Sequence, residues 1–275
     1  MTLLVAILTF ILGTTIGSFL SVVIYRIHSK TKGIFLSRSI CPNCKKTLKW
    51  THLFPIFSWL FLRGKCAFCG KKISPHYLLI ELITGLLFLG TFLHLNFLVT
   101  IPSTINPDFL NHQIDWFIFE KFLFYIIEFA LLIGIFFYDL FYKEIPDSLS
   151  LPAVAIAIAG GIAFQITSPL NMLIGGAAIF TFFLLQIIIS KGKWIGGGDL
   201  RLGALMGVLL GWQLGLLGLI IAYILGSIVS IVLLISKKAT RKTKIPFGPF
   251  LVTGTIATVF FGPKILSWYL NTLSF

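Results

Sequence analysis

Trp194-Ile195-Gly196-Gly197-Gly198-Asp199-Leu200-Arg201-Leu202, residues 194–202, decides how this chain is folded. It places an acid behind three consecutive glycines, after one long apolar run (171–190) and before a short one (201–211) that ends at Gly211-Trp212. The chain is 57% hydrophobic and 11% charged, with a mean hydropathy of +0.99, which is the composition of a polytopic membrane protein. The other apolar runs of spanning length fall at about 2–25, 77–100, 118–142, 150–166, 213–236 and 247–270. If the short run 201–211 also crosses, the fold is an all-α bundle of eight transmembrane helices. If it re-enters the same side, the count is seven and the two termini lie on opposite faces.

The charge pattern favours eight. Net charge is +13, yet it is concentrated: Arg26 to Lys72 holds eleven Lys or Arg and no acid. A second cluster is formed by Lys237, Lys238, Arg241, Lys242 and Lys244, whereas the segment 101–116 carries Asp108 and Asp115 with no Lys or Arg. Cytoplasmic loops carry the Lys/Arg excess. Eight crossings put both basic segments in the cytoplasm and both termini outside, and seven would place the second cluster outside. Membrane topology and attraction to anionic lipid therefore account for the basic charge, and no nucleic-acid partner is expected. The run 3–25 lacks the basic n-region of a secretory signal and reads as a retained helix.

Only nine residues are acidic, and two of them end strongly apolar runs. Asp199 is one. The other is Asp139, in Gly134-Ile135-Phe136-Phe137-Tyr138-Asp139-Leu140. A carboxylate beside hydrocarbon is costly and by default marks function. With eight helices, Asp139 ends the third on the cytoplasmic side and Asp199 lies between the fifth and sixth on that side too. Two carboxyls that meet there would share a proton, which suits acid–base chemistry. Gly196, Gly197 and Gly198 would let an extended peptide approach the backbone, a reading favoured over their merely ending one helix and starting the next. No strand or GKS/GKT sequence supports a phosphate loop. Glu120 and Glu128 belong to the third helix; Glu128, three turns before Asp139, is expected to have a structural partner.

All four cysteines lie in the first basic loop, as Cys41-Pro42-Asn43-Cys44 and Cys66-Ala67-Phe68-Cys69. Two CxxC knuckles at this spacing suit one tetrahedral Zn²⁺, and neighbouring lysines favour thiolate. Disulfides are the competing reading, disfavoured by the reducing cytoplasm. Four thiolates leave no open coordination position, so such a zinc is structural. His52 is an alternative ligand, but with four cysteines it reads better as a packing residue.

The chain resembles the bacterial prepilin peptidases, membrane aspartic proteases with a Gly-x-Gly-Asp signature. The resemblance rests on residues 17–26 (Gly17-Ser18-Phe19-Leu20-Ser21 through Arg26), and on the paired CxxC loop with Pro55, Ser58-Trp59-Leu60 and Arg63-Gly64. It also rests on Asp139 with Ile145-Pro146-Asp147, on residues 196–202, and on Ile245-Pro246-Phe247-Gly248-Pro249-Phe250. Ser21 stands where the family usually has Asn, and Arg201 where it usually has Lys. The resemblance implies cleavage of type IV prepilins or pseudopilins after a Gly that ends a basic leader, at the cytoplasmic face of the bacterial inner membrane, with Asp139 and Asp199 catalytic. It also implies that many members N-methylate the new terminus with S-adenosylmethionine. Glu144 and Asp147 then become candidates to bind the basic leader, with Asp147 as a helix cap as the alternative. Glu81 is a candidate for substrate or methyl-donor binding, with stabilisation of a helix N-terminus as the alternative. The domain reading is a first transmembrane helix over 1–25, a cytoplasmic tetracysteine zinc-binding loop over 26–76 that is also the candidate methyltransferase region, and a transmembrane peptidase domain over 77–275. A peptidase without methyl transfer, a zinc-knuckle scaffold without enzymatic activity and a proton-coupled transporter are the competing functions.

Overall fold

The structure, a computed structural model, describes residues 2–30, 39–41, 43–102, 110–238, 240 and 243–273. Lys32, Arg38, Asp108, Arg241 and Lys242 of the charge map lie outside the described residues. The chain divides into two compact units, Met1–Ala130 and Leu131–Phe275.

In the first unit, α1 (Thr2–Ser29) and α3 (His76–Leu95) are packed backbone to backbone. A Cβ on Gly13 would lie 2.7 Å from Gly85 Cα, and one on Gly17 would lie 2.7 Å from Glu81 Cα. Small residues make this approach possible where lipid supplies no hydrophobic drive between helices. Between these helices lie a 3-10 turn (Trp50–His52) and the short α2 (Phe57–Phe61). The apolar run 77–100 is not helical throughout. Asn96 adopts a left-handed conformation (φ 44°) that ends α3, and the chain then forms β1 (Leu98–Pro102). This strand pairs antiparallel with β2 (Leu110–Ile114), from Leu98 opposite Ile114 to Pro102 opposite Leu110. Hydropathy had merged helix and strand; Val99, Thr100 and Ile101 are β-branched and favour the latter. The all-α membrane fold expected from the sequence holds, with one short hairpin added to it. Phe88, Phe92, Phe97 and Phe122 form the core beside it. Asp115 Oδ1 accepts from the Ile118 amide at 3.1 Å, capping α4 (Trp116–Tyr142).

The second unit contains α5 (Asp147–Ala163), α6 (Pro169–Ser190), α7 (Gly197–Ile235) and α8 (Gly248–Leu273). α6 begins with Pro at its first position and a Ser168 cap that accepts from the Asn171 amide at 3.2 Å. α7 has 39 residues, and straight it would run about 58 Å, roughly twice a bilayer's hydrocarbon core. It is not straight. Gly211 breaks it at φ 76°, ψ −179°, a conformation open essentially to glycine alone. A Cβ on Gly215 would sit 3.3 Å from Gly207 Cα, whereas eight residues of continuous helix would separate them by about 12 Å. The element is thus a helical hairpin with limbs 197–210 and 212–235. Asn171 holds the bend by accepting from the Trp212 amide at 3.0 Å.

Glycines also set the packing of the two limbs. On the first limb, Gly207 meets the backbone of Gly175 on α6, and Gly203 faces Phe183. On the second limb, Gly218 faces Thr258 and Gly254 of α8. Six described helices are long and apolar enough to cross a membrane, with α7 counted once, and α5 is a shorter apolar helix. The short run 201–211 is a separate limb, so each of the eight apolar segments read from the sequence contains a helix, although the run 77–100 ends in a strand.

Candidate active site and metal centre

Asp139 sits in the last turn of α4 and Asp199 in the first turn of α7. Asp139 is 5% exposed, and its Oδ2 accepts the Gly248 amide hydrogen at 2.9 Å. Asp199 Oδ2 accepts the Gly196 amide hydrogen at 3.1 Å, tying the carboxylate back to the residue that precedes α7. The two carboxylates are within electrostatic reach of each other. No described hydrogen bond uses Oδ1 of either residue. Among the described residues each aspartate therefore has one oxygen held by backbone and one without a hydrogen bond.

Ile145 joins the two sides. A Cβ on Gly198 would lie 2.7 Å from Ile145 Cβ, and one on Gly248 would lie 2.6 Å from Asp139 Oδ2 and 3.3 Å from Ile145 Cδ1. The glycine before Asp199 is thus required for close packing. Gly196 and Gly197 leave open space around the backbone, with only the Asp199 carboxylate 3.7 Å from a Cβ on Gly196. Aromatic rings support the Gly248 segment, with the Phe247 ring 4.9 Å from Tyr223 and 6.2 Å from Phe183. Tyr223 in turn exchanges hydrogen bonds with the Gln186 amide at 3.0 and 3.2 Å. A cavity of about 400 Å³ lined by Tyr223, Gly226, Ser230, Ile245, Phe247 and Phe250 runs along this segment.

The remaining acids sort differently. Asp147 does not cap α5; it lies in that helix's first turn and pairs with Arg201. Glu144 is exposed. Glu81 is buried in the first unit, where it accepts the Ile56 amide hydrogen at 2.7 Å and a bond from Ser18. Ile56 has φ 62°, ψ −56°, rare for a β-branched residue, in a tight turn closed by a 2.6 Å bond from the Phe57 amide to Pro55 O. Glu81 thus anchors this turn to α3. The partner expected for Glu128 is not found: the residue is fully buried, and neither oxygen is hydrogen-bonded among the described residues.

The four cysteines converge, with all four Sγ atoms within 4.8 Å of one another and no disulfide formed. Each CxxC makes the same knuckle. The amide of the first cysteine bonds to a carbonyl five residues on (Cys41 to Lys46, Cys66 to Lys71), and the residue after the second cysteine is left-handed (Lys45, Gly70). The Lys71 amide, with Asn43, pulls the Cys69 thiol down to about 6. With Zn–S near 2.3 Å, tetrahedral sulfurs lie about 3.8 Å apart, so this donor set fits a zinc ion with little movement. His52 is outside the cluster; its ring packs edge-on against Phe68 at 5.3 Å.

These features define a multi-pass membrane protein with a paired-aspartate site in one unit and a four-thiol centre in the other. The family model "Bacterial Peptidase A24 N-terminal domain" matches residues 11–95, which contain all four cysteines, and "Type IV leader peptidase family" matches residues 126–231, which contain both aspartates. The chain belongs to the type IV leader peptidase family. It is similar to proteins named prepilin leader peptidase/N-methyltransferase. That of Legionella pneumophila is 29% identical over 93% of this chain and 91% of the relative. Those of Aeromonas salmonicida (strain A449) and Bacillus subtilis (strain 168) are 27% and 28% identical, over 97% and 95% of this chain and 94% and 96% of the relatives. No solved structure matches the chain significantly.

Proposed function

We propose that this protein is a prepilin peptidase in which Asp139 and Asp199 form the catalytic pair. The observation that carries the reading is that two carboxyls lie within electrostatic reach of each other in the segment matched by the leader peptidase family, each held through Oδ2 and with Oδ1 unbonded among the described residues. One carboxylate accepts a proton from water as it attacks the scissile carbonyl. The other, protonated, polarises that carbonyl and then helps protonate the leaving amine. The pair shares these roles, because strongly coupled acids titrate jointly. The open backbone at Gly196 and Gly197 gives an extended leader room beside Asp199.

The substrate class is a type IV prepilin or pseudopilin with a basic leader and an apolar helix in the bilayer. The charge asymmetry supports an inner-membrane orientation with the aspartates and the cysteine loop cytoplasmic and both termini outside. The cysteines Cys41, Cys44, Cys66 and Cys69 hold a structural zinc, and Glu144 is a remaining candidate to contact the leader.

The relatives' names support a second activity, N-methylation with S-adenosylmethionine, built from the first unit. A cavity of about 460 Å³ there is lined by Thr51, His52, Phe54, Phe57, Ser58 and Leu62, and His52 Nδ1 is buried without a described partner. The cavity's aromatic walls suit an adenine ring, and the bound donor would supply the methyl group. Purified protein given a prepilin and a methyl-labelled donor tests both halves. The reading expects cleavage and label on the new terminus; cleavage without label rejects methylation, and an uncut prepilin rejects the whole reading.

A further inference from the structure

We infer that Arg201, Ile145 and Asp147 form a clamp that sets the separation of Asp139 and Asp199. On this view Asp147 is a positioning residue and not a dock for the basic leader. The inference rests on the peptidase reading above.

Arg201 follows Asp199 by two residues on α7. Its Nη1 pairs with the Asp147 carboxylate, and its Nη2 donates to the Ile145 carbonyl at 3.5 Å. Both acceptors belong to the segment that leaves α4 just after Asp139. The Lys143 amide closes that helix onto the Asp139 carbonyl at 2.8 Å, and Lys143 turns left-handed (φ 58°) to redirect the chain. From there the Ile145 side chain reaches the glycine before Asp199 and the glycine whose amide holds Asp139. One short segment therefore touches both aspartate blocks through its side chain, its carbonyl and its following carboxylate.

The side chains of Arg201 and Asp147 are 31% and 63% exposed, so the pair adds little to fold stability. Its consequence is geometric. At 3.5 Å the bond to Ile145 is at the weak limit, so the ion pair dominates and a lysine at 201 would retain it. Asp147, already paired with Arg201, is a poor partner for a cationic leader.

The test compares wild type with Arg201→Gln, Arg201→Lys and Asp147→Asn, using prepilins whose leaders differ in positive charge. We expect Arg201→Gln and Asp147→Asn to lower kcat about tenfold or more with KM unchanged, since small misplacements of reacting groups cost rate. Their pH–rate profile should shift, because coupling between two acids depends on their distance. Arg201→Lys should stay near wild type. Unchanged kcat in Arg201→Gln, or a KM in Asp147→Asn that rises with leader charge, overturns the inference. Hydrogen exchange reads the clamp without catalysis: Arg201→Gln should speed exchange in 143–148 and in 196–200, and Arg201→Lys should not. Unchanged exchange in both segments overturns the clamp even if wild type proves to cut no prepilin, an outcome that by itself rejects only the peptidase reading.

Discussion

The Gly248 amide donates to Asp139 Oδ2 at 2.9 Å across 109 residues of sequence. That bond makes the start of α8 part of the aspartate site, although α8 supplies no carboxylate. A Cβ at Gly248 would lie 2.6 Å from the same oxygen. Gly248→Ala must therefore displace the carboxylate. We expect kcat for prepilin cleavage to fall about 100-fold in a protein that still inserts, as a misplacement near 1 Å does elsewhere. Steady-state cleavage in detergent or lipid checks this.

Gly198→Ala acts from the other side. Its Cβ would collide with Ile145 at 2.7 Å, with no flexible chain end to give way. Overpacking of this kind costs about 1–3 kcal/mol. A lowered midpoint of thermal unfolding together with reduced cleavage is expected. Gly197→Ala, which meets open space, should leave the midpoint unchanged.

Cleavage by a shared-proton pair needs one carboxyl charged and one neutral. kcat should fall toward acid, where both are protonated, and toward alkali, where neither is. A profile of kcat against pH with a single limb would argue that only one of the two acids takes part.

The thiol cluster predicts one zinc per chain, lost in Cys66→Ser and on chelation. Elemental analysis measures the first. Limited proteolysis should then cut within residues 39–73, because the two knuckles have little apolar core of their own.

The eight apolar segments, the cysteine cluster and the two aspartates were legible because each is written locally, in hydropathy, spacing or an acid in an apolar context. The limb after Asp199 was legible for the same reason, since Gly211-Trp212 interrupts the run. What escaped was long-range. The Asp147–Arg201 pair joins residues 54 apart, and nothing local distinguishes an Asp that caps a helix from one that crosses to another. Ile145 was legible only as part of the Ile145-Pro146-Asp147 block, and nothing local in that block places its side chain against Gly198 and Gly248. The β1–β2 hairpin escaped because its first strand continues the hydropathy of α3 without a break.

Gly211→Ala probes the helical hairpin of α7. Its backbone conformation is open essentially to glycine, and a Cβ would meet Asn171 at 2.7 Å. A loss of about 1–3 kcal/mol is expected for such a position, read as a lowered unfolding midpoint.

The most direct test of the catalytic pair is prepilin cleavage by wild type, Asp139→Asn and Asp199→Asn in membranes, with insertion confirmed for all three. Cleavage by wild type and none by either variant is the predicted result. Processing retained by either inserted variant would contradict the assignment.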